Sequence, residues 1–586
     1  MTGSRVPLTK EALDGPTAAT RHLCTGVYVD EEFRDLVINR VCNAPHRRVA
    51  PSYGFDIVPV MHHAWRAAAL TALLRAALVA APIAPFLWGD PLASALIGIG
   101  LALLVLLDIA RRIHSAVREE RKGRDPLRFW RAQGRTRLLQ WLFPRWHWEE
   151  NPALRRTATI ALSLIAVEAV IARLCPGPAM TALHIAGALV LTCLGIGATR
   201  QLMLNHIRRA PSLRPTRLSG RQRVADAQQG HMCTVYRRAR HSRDEAEEKE
   251  KEKRAHFTLF GDDSHSPFTG AGEIIYHWNP PMNIQLLRPG SEDDAPLHER
   301  EYLVPPFQAH ELVDYLRGAV QLLGTDEQET RLAAQVRDRV YVAETDVAMD
   351  HSLLAEEFDA AGLRAIINSN DTRQYHFLEV VMPTEGSEYV ATVLLHVGLQ
   401  GRTLNISTAA CVLAHTPRSF QRTEEFGHHG AVAVVWAAFR ELAALPKEIP
   451  NTWRLIRYLG ALCAAAVTPR DLTAKPIRNI LIGSRISVRQ EAAQAWSKVQ
   501  LEKTDLTGRM KTLEERLLRA AEDFLNSRDV DVSEFSSRAL KIINSGIFNF
   551  GDNNTISNNA VGDSAQVLVG ANQGAGSNDS NNGGNQ

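Results

Sequence analysis

Four apolar stretches dominate the first third of this 586-residue chain, at residues 67–88, 91–109, 157–172 and 181–197. Each is about long enough to cross a ~30 Å hydrocarbon core as a helix. Only Gly89 and Asp90 separate the first pair, and residues 173–180 separate the second pair. The pattern therefore predicts four transmembrane helices arranged as two tight hairpins.

The distribution of basic residues predicts the orientation of these helices. The connector 111–156 carries thirteen Lys and Arg residues against five acidic ones, whereas the two hairpin turns contain only Asp90 and Arg173 as charged residues. Lys and Arg are retained on the cytoplasmic side. We therefore expect a multi-pass protein of the plasma membrane with both termini in the cytoplasm. No signal-peptide pattern precedes the first span, so the first hairpin would act as its own insertion signal.

Aromatic residues alternate with arginines in the connector between the hairpins, at Trp130, Trp141, Trp146 and Trp148. Aromatic and basic side chains together favour the headgroup layer, where rings are buried and charges remain hydrated. The connector is predicted to be a helical segment on the inner leaflet, in contact with the lipid bilayer and its anionic headgroups. A solvated helical linker is the alternative. The net charge of +3 requires no nucleic-acid partner.

Three ionisable residues, Arg75, Glu168 and His184, fall in or near the predicted spans. Charges in hydrocarbon are costly and often mark a path for ions or protons. A transport function would require all three to face one polar path. Alternatively, Arg75 reaches the membrane surface and Glu168 pairs with Arg173. Two short hairpins also lack the broken helices and repeated halves of transporters.

The remaining segments follow from composition. Residues 237–254 are almost entirely charged and cannot form a core. The predicted segments are a cytoplasmic N-terminal region (1–66), hairpin 1 (67–109), the connector (110–156), hairpin 2 (157–197), a charged linker (198–255), a cytoplasmic domain (256–483), a long helical segment (484–540) and a Gly/Asn-rich tail (541–586).

The cytoplasmic domain combines two kinds of hydrophobic periodicity. Strands are predicted at 340–343, 375–382, 389–399 and 403–414, the last two as a hairpin that turns at residues 400–402. Helices are predicted at 309–323, 326–339, 351–361, 431–445 and 452–466. The predicted fold class is a membrane all-α region with four transmembrane helices in two hairpins, plus a cytoplasmic α+β domain with an antiparallel sheet and a long C-terminal helix.

The long helix, predicted over 487–526, has an apolar stripe. Its members are Leu501, Leu506, Met510, Leu513, Leu517 and Leu518. The stripe predicts a surface for self-association.

No nucleotide, zinc-protease or serine-hydrolase signature occurs in the chain. No catalytic residue is therefore assigned, no cofactor is expected, and enzymatic activity stays open. Glu424, His428 and His429 are weak candidates for a metal site, because Glu and His four residues apart can share a metal on a helix. Adjacent surface histidines are the alternative. An enzyme would need a buried cleft that joins His265, Glu424 and His428.

The segment before the first span, residues 49–66, reads VAPSYGFDIVPVMHHAWR. It resembles the juxtamembrane segment of a group of uncharacterised actinobacterial multi-pass membrane proteins. The order of parts is also similar, with this segment, then apolar hairpins, then a cytoplasmic region. The resemblance implies a membrane protein and implies no activity.

The tail contains three related pieces at residues 550–556, 561–567 and 569–575, each starting with an apolar residue and glycine. Apolar and amide-rich segments with almost no charge, separated by glycines, favour stacked β-strands. A tail that folds onto its own domain, or that has no role, is the alternative.

The FGDNN and VLVGANQ pieces of the tail resemble the amyloid-type signalling motifs at the ends of bacterial and fungal immune proteins. They are similar to the apolar-x-apolar-Gly-x-x-Asn core in necroptosis kinases, but Asn549 and Leu568 stand where a glutamine-centred pair is expected. The resemblance implies homotypic templating between tails. The implied self-assembly residues are Phe548, Phe550, Gly551, Asn553, Asn554, Ile556, Val567, Val569, Gly570 and Asn572.

These patterns together predict a membrane-anchored scaffold for signalling or assembly in stress or defence, acting through homotypic contacts between tails. Its partners would be a second copy or a protein with a similar tail. The alternative is a membrane-anchored enzyme or small-ligand sensor that uses the α+β domain. A transporter or channel is the third hypothesis.

Overall fold

The computed structural model describes residues 16–122, 152–237, 267–278, 281–290, 296–323, 334–355, 357–369, 371, 373–384, 388–425, 428–474, 482–484, 486–499 and 501–544. The helices of the first part are α1 Ala18–Val29, α2 Glu31–Leu36, α3 Ile57–Leu87, α4 Pro91–Lys122, α5 Pro152–Leu174, α6 Pro176–Arg209 and α7 Gly220–Gln228. A π-helical turn, Val37–Cys42, continues α2.

The remaining elements form a mixed α/β part of the chain. Its helices are α8 Leu297–Arg300, α9 Ala309–Leu323, α10 Glu344–Met349, α11 Ala360–Asn368, α12 Ala431–Glu448, α13 Arg454–Val467, α14 Val488–Ala492, α15 Leu501–Ser527 and α16 Ser533–Asn544. Its strands are β1 Cys233–Tyr236, β2 Glu273–His277, β3 Met282–Gln285, β4 Gln335–Ala343, β5 Gln374–Pro383, β6 Val390–Gln400 and β7 Thr403–Leu413.

Within the described residues, three helices are long and apolar enough to cross a membrane, namely Ile57–Leu87, Pro91–Ala110 and Pro176–Arg209. They contain the first, second and fourth predicted spans. The third predicted span lies in α5, whose described side chains include the exposed Leu162 and Val170. The N-terminal region is therefore helical, with three helices of membrane length and apolar side chains on its outer surface.

Polar side chains fix where the N-terminal helices begin. Asp30 accepts hydrogen bonds from the first backbone amides of α2, and Asp56 accepts one from Val58 at the start of α3. Ser219 and Gln222 form a reciprocal capping box on α7. Each cap satisfies amide groups that have no partner inside the helix.

The seven strands form one curled sheet in the order β1-β4-β5-β6-β7-β2, and β3 pairs with β7 beside β2. Strands β1 and β4 run parallel, and every other pair is antiparallel. The predicted hairpin is confirmed: Gln400 pairs with Thr403, and Gly401 adopts φ +61° in the two-residue turn between them. Glycine takes this left-handed conformation without steric cost.

Alternating residues of the sheet enter two separate cores. On β6, Val393 and Leu395 face the helices α9, α15 and α16, whereas Leu394 faces the opposite side. Tyr53, from the segment before α3, packs on that opposite side. Both faces of the sheet therefore have a cover, which consists of C-terminal helices on one side and of Tyr53 and the segment before β2, including Phe268, on the other.

Some predicted elements differ from the structure. Residues 335–339 of the predicted helix 326–339 belong to strand β4, and the predicted helix 351–361 is replaced by a short 3-10 turn, His351–Leu353, and by α11. The helices predicted at 309–323, 431–445 and 452–466 are present as α9, α12 and α13.

The predicted self-association surface is wrong. The long helix α15 is shorter than expected, and Leu506, Met510, Leu513, Leu517 and Leu518 are buried in the core that it shares with the sheet. The stripe packs within the chain because the hydrophobic face of the sheet requires a cover.

Candidate functional site

A polar cavity with a volume of about 500 Å³ lies where α2, α3 and α13 meet. This size is in the range of small-ligand pockets. We call it the arginine cavity. Its charged lining residues are Glu31, Arg34, Asp35, Arg75, Arg454 and Arg457.

Glu31 is the centre of the ion pairs in the arginine cavity. Its carboxylate lies 3.3 Å from Arg34, 2.8 Å from Arg75 and 3.2 Å from Arg454. Burial raises the pKa of Glu31, but the nearby guanidinium groups of Arg75 and Arg34 outweigh this effect and hold the pKa below its usual value. One carboxylate is thus shared among three arginines.

Arg75 joins the arginine cavity to helix α12. Its Nε and Nη2 atoms donate to Glu448 at 3.2 and 3.1 Å, and the side chain is buried. Of the residues considered for transport, His184 is exposed on α6, and the lining of the arginine cavity includes neither Glu168 nor His184. Arg75 therefore belongs to an ion-pair network between α2, α3 and α12.

The lining of the arginine cavity contains four guanidinium groups and two carboxylates. The buried Nε atoms of Arg34 and Arg454 find no acceptor among the residues that the structure describes. Burial disfavours the negative charge of Asp35 and raises its pKa, although the nearby Arg34 acts in the opposite direction. Excess guanidinium donors in a concave site suit an anion with several oxygens, since Arg binds carboxylate and phosphate groups in a fork geometry.

A second basic cavity, of about 420 Å³, lies beside the C-terminal end of α13. Its lining includes Arg217, Arg221, Arg470 and Ser219 at the start of α7. Arg221 donates to three backbone carbonyls, including that of Val41 at 3.1 Å, so this arginine holds the turn after α2 in place. Basic residues therefore flank α13 at both ends.

The structure places the weak metal candidates in different contacts. Glu424 lies 2.7 Å from His22, whereas His428 lies 3.6 Å from Glu425. His429 is half-buried. Within the described part of the chain, no group of three His, Cys, Asp or Glu side chains is arranged to hold a metal ion.

His22 connects α1 to the sheet through a carboxylate that sequence reasoning missed. Its Nδ1 lies 2.5 Å from Glu388, which also accepts hydrogen bonds from the Thr416 amide and hydroxyl. Burial lowers the pKa of His22, but hydrogen bonds and charges from Glu388 and Glu424 outweigh it, so the net pKa is raised. The His22 hydrogen bond overcomes the burial of Glu388 and lowers its pKa to about 2.

The raised pKa of His22 predicts that its contribution to the free energy of unfolding depends on pH. A raised folded pKa means that the His22 contribution is fully present below the unfolded value of about 6.5 and is lost as pH rises through the folded pKa. The stability difference between the native chain and His22→Ala should therefore be largest below about pH 6.5 and should shrink as the pH rises above it. Thermal unfolding in detergent at a series of pH values measures this. A constant difference would contradict it.

Other predicted site residues lie outside the described residues. These are the interface tryptophans Trp130, Trp141, Trp146 and Trp148, the cleft residue His265, and the self-assembly residues Phe548, Phe550, Gly551, Asn553, Asn554, Ile556, Val567, Val569, Gly570 and Asn572.

Comparison with known proteins identifies one part of the chain. Residues 278–557 match the family model of the AbeC-like domain, so the C-terminal half carries an AbeC-like domain. No curated protein and no solved structure matches the chain. The match begins after β2, so the sheet of the AbeC-like domain is completed by β1 and β2 from outside it. It also includes α12 and α13, which contribute Glu448, Arg454 and Arg457 to the network around the arginine cavity.

Proposed function

We propose that this protein is a membrane-anchored sensor that binds a phosphate-bearing anion in the arginine cavity and relays its occupancy to the AbeC-like domain. The observation that supports this proposal is the composition of the cavity. Arg34 and Arg75 come from the N-terminal region, whereas Arg454 and Arg457 come from the AbeC-like domain. An anion bound between them would draw the two parts together, because it would be attracted by guanidinium groups on both.

The proposed location is the plasma membrane, with the hairpin turns outside and both termini in the cytoplasm. Support comes from the basic residues that follow the membrane-length part of α6, such as Arg208 and Arg209 in its last turn. In this orientation the arginine cavity, which is lined by α2, α3 and α13, would be reached from the cytoplasmic side. Two sources of the same ligand chemistry are then accessible, namely the headgroup of an anionic lipid and a soluble phosphate compound.

Ligand binding predicts a gain in thermal stability. In nanodiscs of zwitterionic lipid, inorganic pyrophosphate at about a hundred times its Kd should stabilise the protein by about 2.7 kcal/mol. If the ligand is a lipid headgroup, phosphatidylglycerol in the nanodisc should stabilise the protein and pyrophosphate should not. The measurement is thermal unfolding of the full chain in both kinds of nanodisc.

The matched variants are Arg457→Ala and Arg519→Ala. Arg457 lines the arginine cavity, whereas Arg519 is exposed on α15 and pairs with Glu515. The first variant should lose most of the stabilisation by ligand, and the second should keep it. Equal stabilisation of both variants, or no stabilisation of the native chain by either ligand, would overturn the proposal.

Assembly through the tail is a second proposed function, in which the tail of a partner nucleates ordered strands on this protein during stress or defence. It is supported by the tail sequence, whose apolar and Asn-rich pieces contain almost no charge to repel neighbouring chains. A peptide of residues 541–586 should form seedable fibres with a repeat near ~4.7 Å. Substitution of Gly551 and Val569 by proline should abolish them. A native peptide that stays soluble would refute assembly and leave the anion sensor unaffected.

A further inference from the structure

Helices α12 and α13 carry large apolar side chains on their outer surfaces. Trp436 and Phe439 on α12 are 71% and 56% exposed, and Ile456 and Leu459 on α13 are 72% and 51% exposed. No described side chain of α13 is buried, although most of its residues are apolar. Such a surface is unusual for a helix in water and indicates a missing apolar environment.

Helix α12 runs antiparallel along the membrane-length helix α6. Near its start, the Gly430 carbonyl accepts a hydrogen bond from Asn205 at 3.3 Å. Further on, Ala437 lies so close to Gly197 that a Cβ on this glycine would be 2.8 Å from the Ala437 carbonyl oxygen. Near its end, Leu445 packs with Leu189 in one core. As α12 proceeds, its partners lie progressively nearer the start of α6.

Helix α13 returns in the opposite direction along α3. At its first residue, Arg454 shares Glu31 with Arg75. One turn later, the ring of Tyr458 lies 6.3 Å from that of Trp65. The partners on α3 therefore move back toward its start, and α12 and α13 form a helical hairpin whose tip lies level with Arg75 and Leu189.

The depth of this tip follows from helix geometry. Arg75 is 12 residues before Leu87, the last residue of α3, and Leu189 is 13 residues after Pro176, the first residue of α6. At 1.5 Å per residue the tip is about 18–20 Å from the far ends of both helices. A hydrocarbon core of ~30 Å that begins at those ends extends about 10 Å beyond the tip.

The backbone at the tip is suited to an apolar environment. The Thr452 amide donates to the Ile449 carbonyl at 3.2 Å, and the Asn451 side chain donates to the Lys447 carbonyl at 2.9 Å. Pro446 and Pro450 have no amide hydrogen to satisfy. Backbone groups at membrane depth need such internal partners. The exposed Lys447 has a stem long enough to bring its ammonium group toward the headgroups.

We infer that α12 and α13 form a re-entrant hairpin embedded in the cytoplasmic leaflet, with lipid acyl chains against its exposed apolar face. Acyl chains are favoured over a second protein copy because the hairpin packs on α3 and α6, whose membrane-length parts also expose apolar side chains such as Leu73 and Leu191. The hairpin belongs to the matched AbeC-like region. Part of the AbeC-like domain is therefore itself a membrane element, independently of any ligand in the arginine cavity.

Ile456 provides the test, because it is 72% exposed on α13 and lies only two residues after Arg454 at the tip. In Cys175→Ala/Cys463→Ala protein in lipid nanodiscs, a nitroxide on Ile456→Cys should collide often with oxygen, which concentrates in acyl chains, and rarely with a polar nickel chelate. A nitroxide on Met349→Cys, in a background without Cys463 and Cys175, is the control, because Met349 is 90% exposed on α10. This control should show the opposite preference.

A further label position measures the depth of the hairpin. A nitroxide at Ile456→Cys, near the tip, should show a several-fold higher ratio of oxygen to nickel collisions than one at Val467→Cys, at the end of α13. Nickel access at Ile456→Cys equal to that at Met349→Cys would mean that the hairpin lies in water. Protection from both reagents would mean that protein covers it. Either result would overturn the inference.

Discussion

Replacement of Glu379 by alanine is expected to lower the free energy of unfolding by about 3–5 kcal/mol, because it leaves a buried charge unpaired. Glu379 is fully buried on β5, and one of its carboxylate oxygens accepts hydrogen bonds from Nε and Nη2 of Arg339 at 3.2 and 3.0 Å. The Tyr53 hydroxyl donates to the other oxygen. Burial raises the pKa of Glu379, but the charges of Arg339 and Arg337 outweigh this effect. The net pKa is lowered, so the carboxylate stays charged.

The double variant Glu379→Ala/Arg339→Met is the control for this prediction. It removes both charges, so it should be more stable than Glu379→Ala alone, because the uncompensated guanidinium group is gone. Chemical unfolding in detergent measures the three proteins. A loss below about 1 kcal/mol in the single variant would contradict the account, since that is the range of exposed ion pairs.

The buried cluster around Glu379 joins the N-terminal region to the AbeC-like domain. Tyr53 comes from the segment before the first membrane-length helix, whereas Glu379 lies in the AbeC-like domain. Arg489 reinforces the same junction, because it donates to the backbone carbonyls of both Tyr53 and Glu388. The N-terminal region and the AbeC-like domain therefore share a buried polar core.

Hydrophobic patterns within single segments of the sequence are sufficient to predict much of the secondary structure. The membrane-length helices follow from uninterrupted apolar runs, and the hairpin of β6 and β7 follows from two apolar runs around Gly401. Helices α12 and α13 were predicted almost to their ends, and their apolar composition suggested core or membrane contact. In each case the signal lies within about twenty residues, which is the scale that periodicity reports.

Elements that depend on distant partners were missed. Strand β1 lies in a segment predicted to be a linker, and its place in the sheet depends on parallel pairing with β4, about a hundred residues later. The end of the predicted helix 326–339 was misread because charged residues such as Arg337 and Asp338 occur within β4. Tertiary pairing outweighs local propensity in such strands.

The arginine cavity could not be predicted either, because its residues are scattered along the chain. Glu31 and Arg75 lie near the start, whereas Arg454 lies more than three hundred residues later. No spacing rule connects them, and only the packing of α2 and α13 against α3 brings them together. The isolated Arg75 was recognised as unusual from the sequence, but its partners were not.

Replacement of Leu513 by alanine is expected to lower the free energy of unfolding by about 2–5 kcal/mol, the range for a truncated core leucine. Leu513 is 1% exposed and lies on α15 in the core between this helix and the sheet. Removal of its side chain leaves a cavity that packed neighbours fill only in part. The oligomeric state should not change, because the stripe packs within the chain.

Leu540→Ala on α16 is the matched control. Leu540 is 58% exposed, so the same truncation should change stability by no more than about 0.5 kcal/mol, as is usual for surface substitutions. Chemical unfolding measures the stability, and light scattering in detergent measures the mass of the native protein and both variants. A smaller assembly in Leu513→Ala with little loss of stability would mean that the apolar stripe of α15 is a contact between copies of the chain. A large loss of stability at constant mass establishes it as the cover of the sheet.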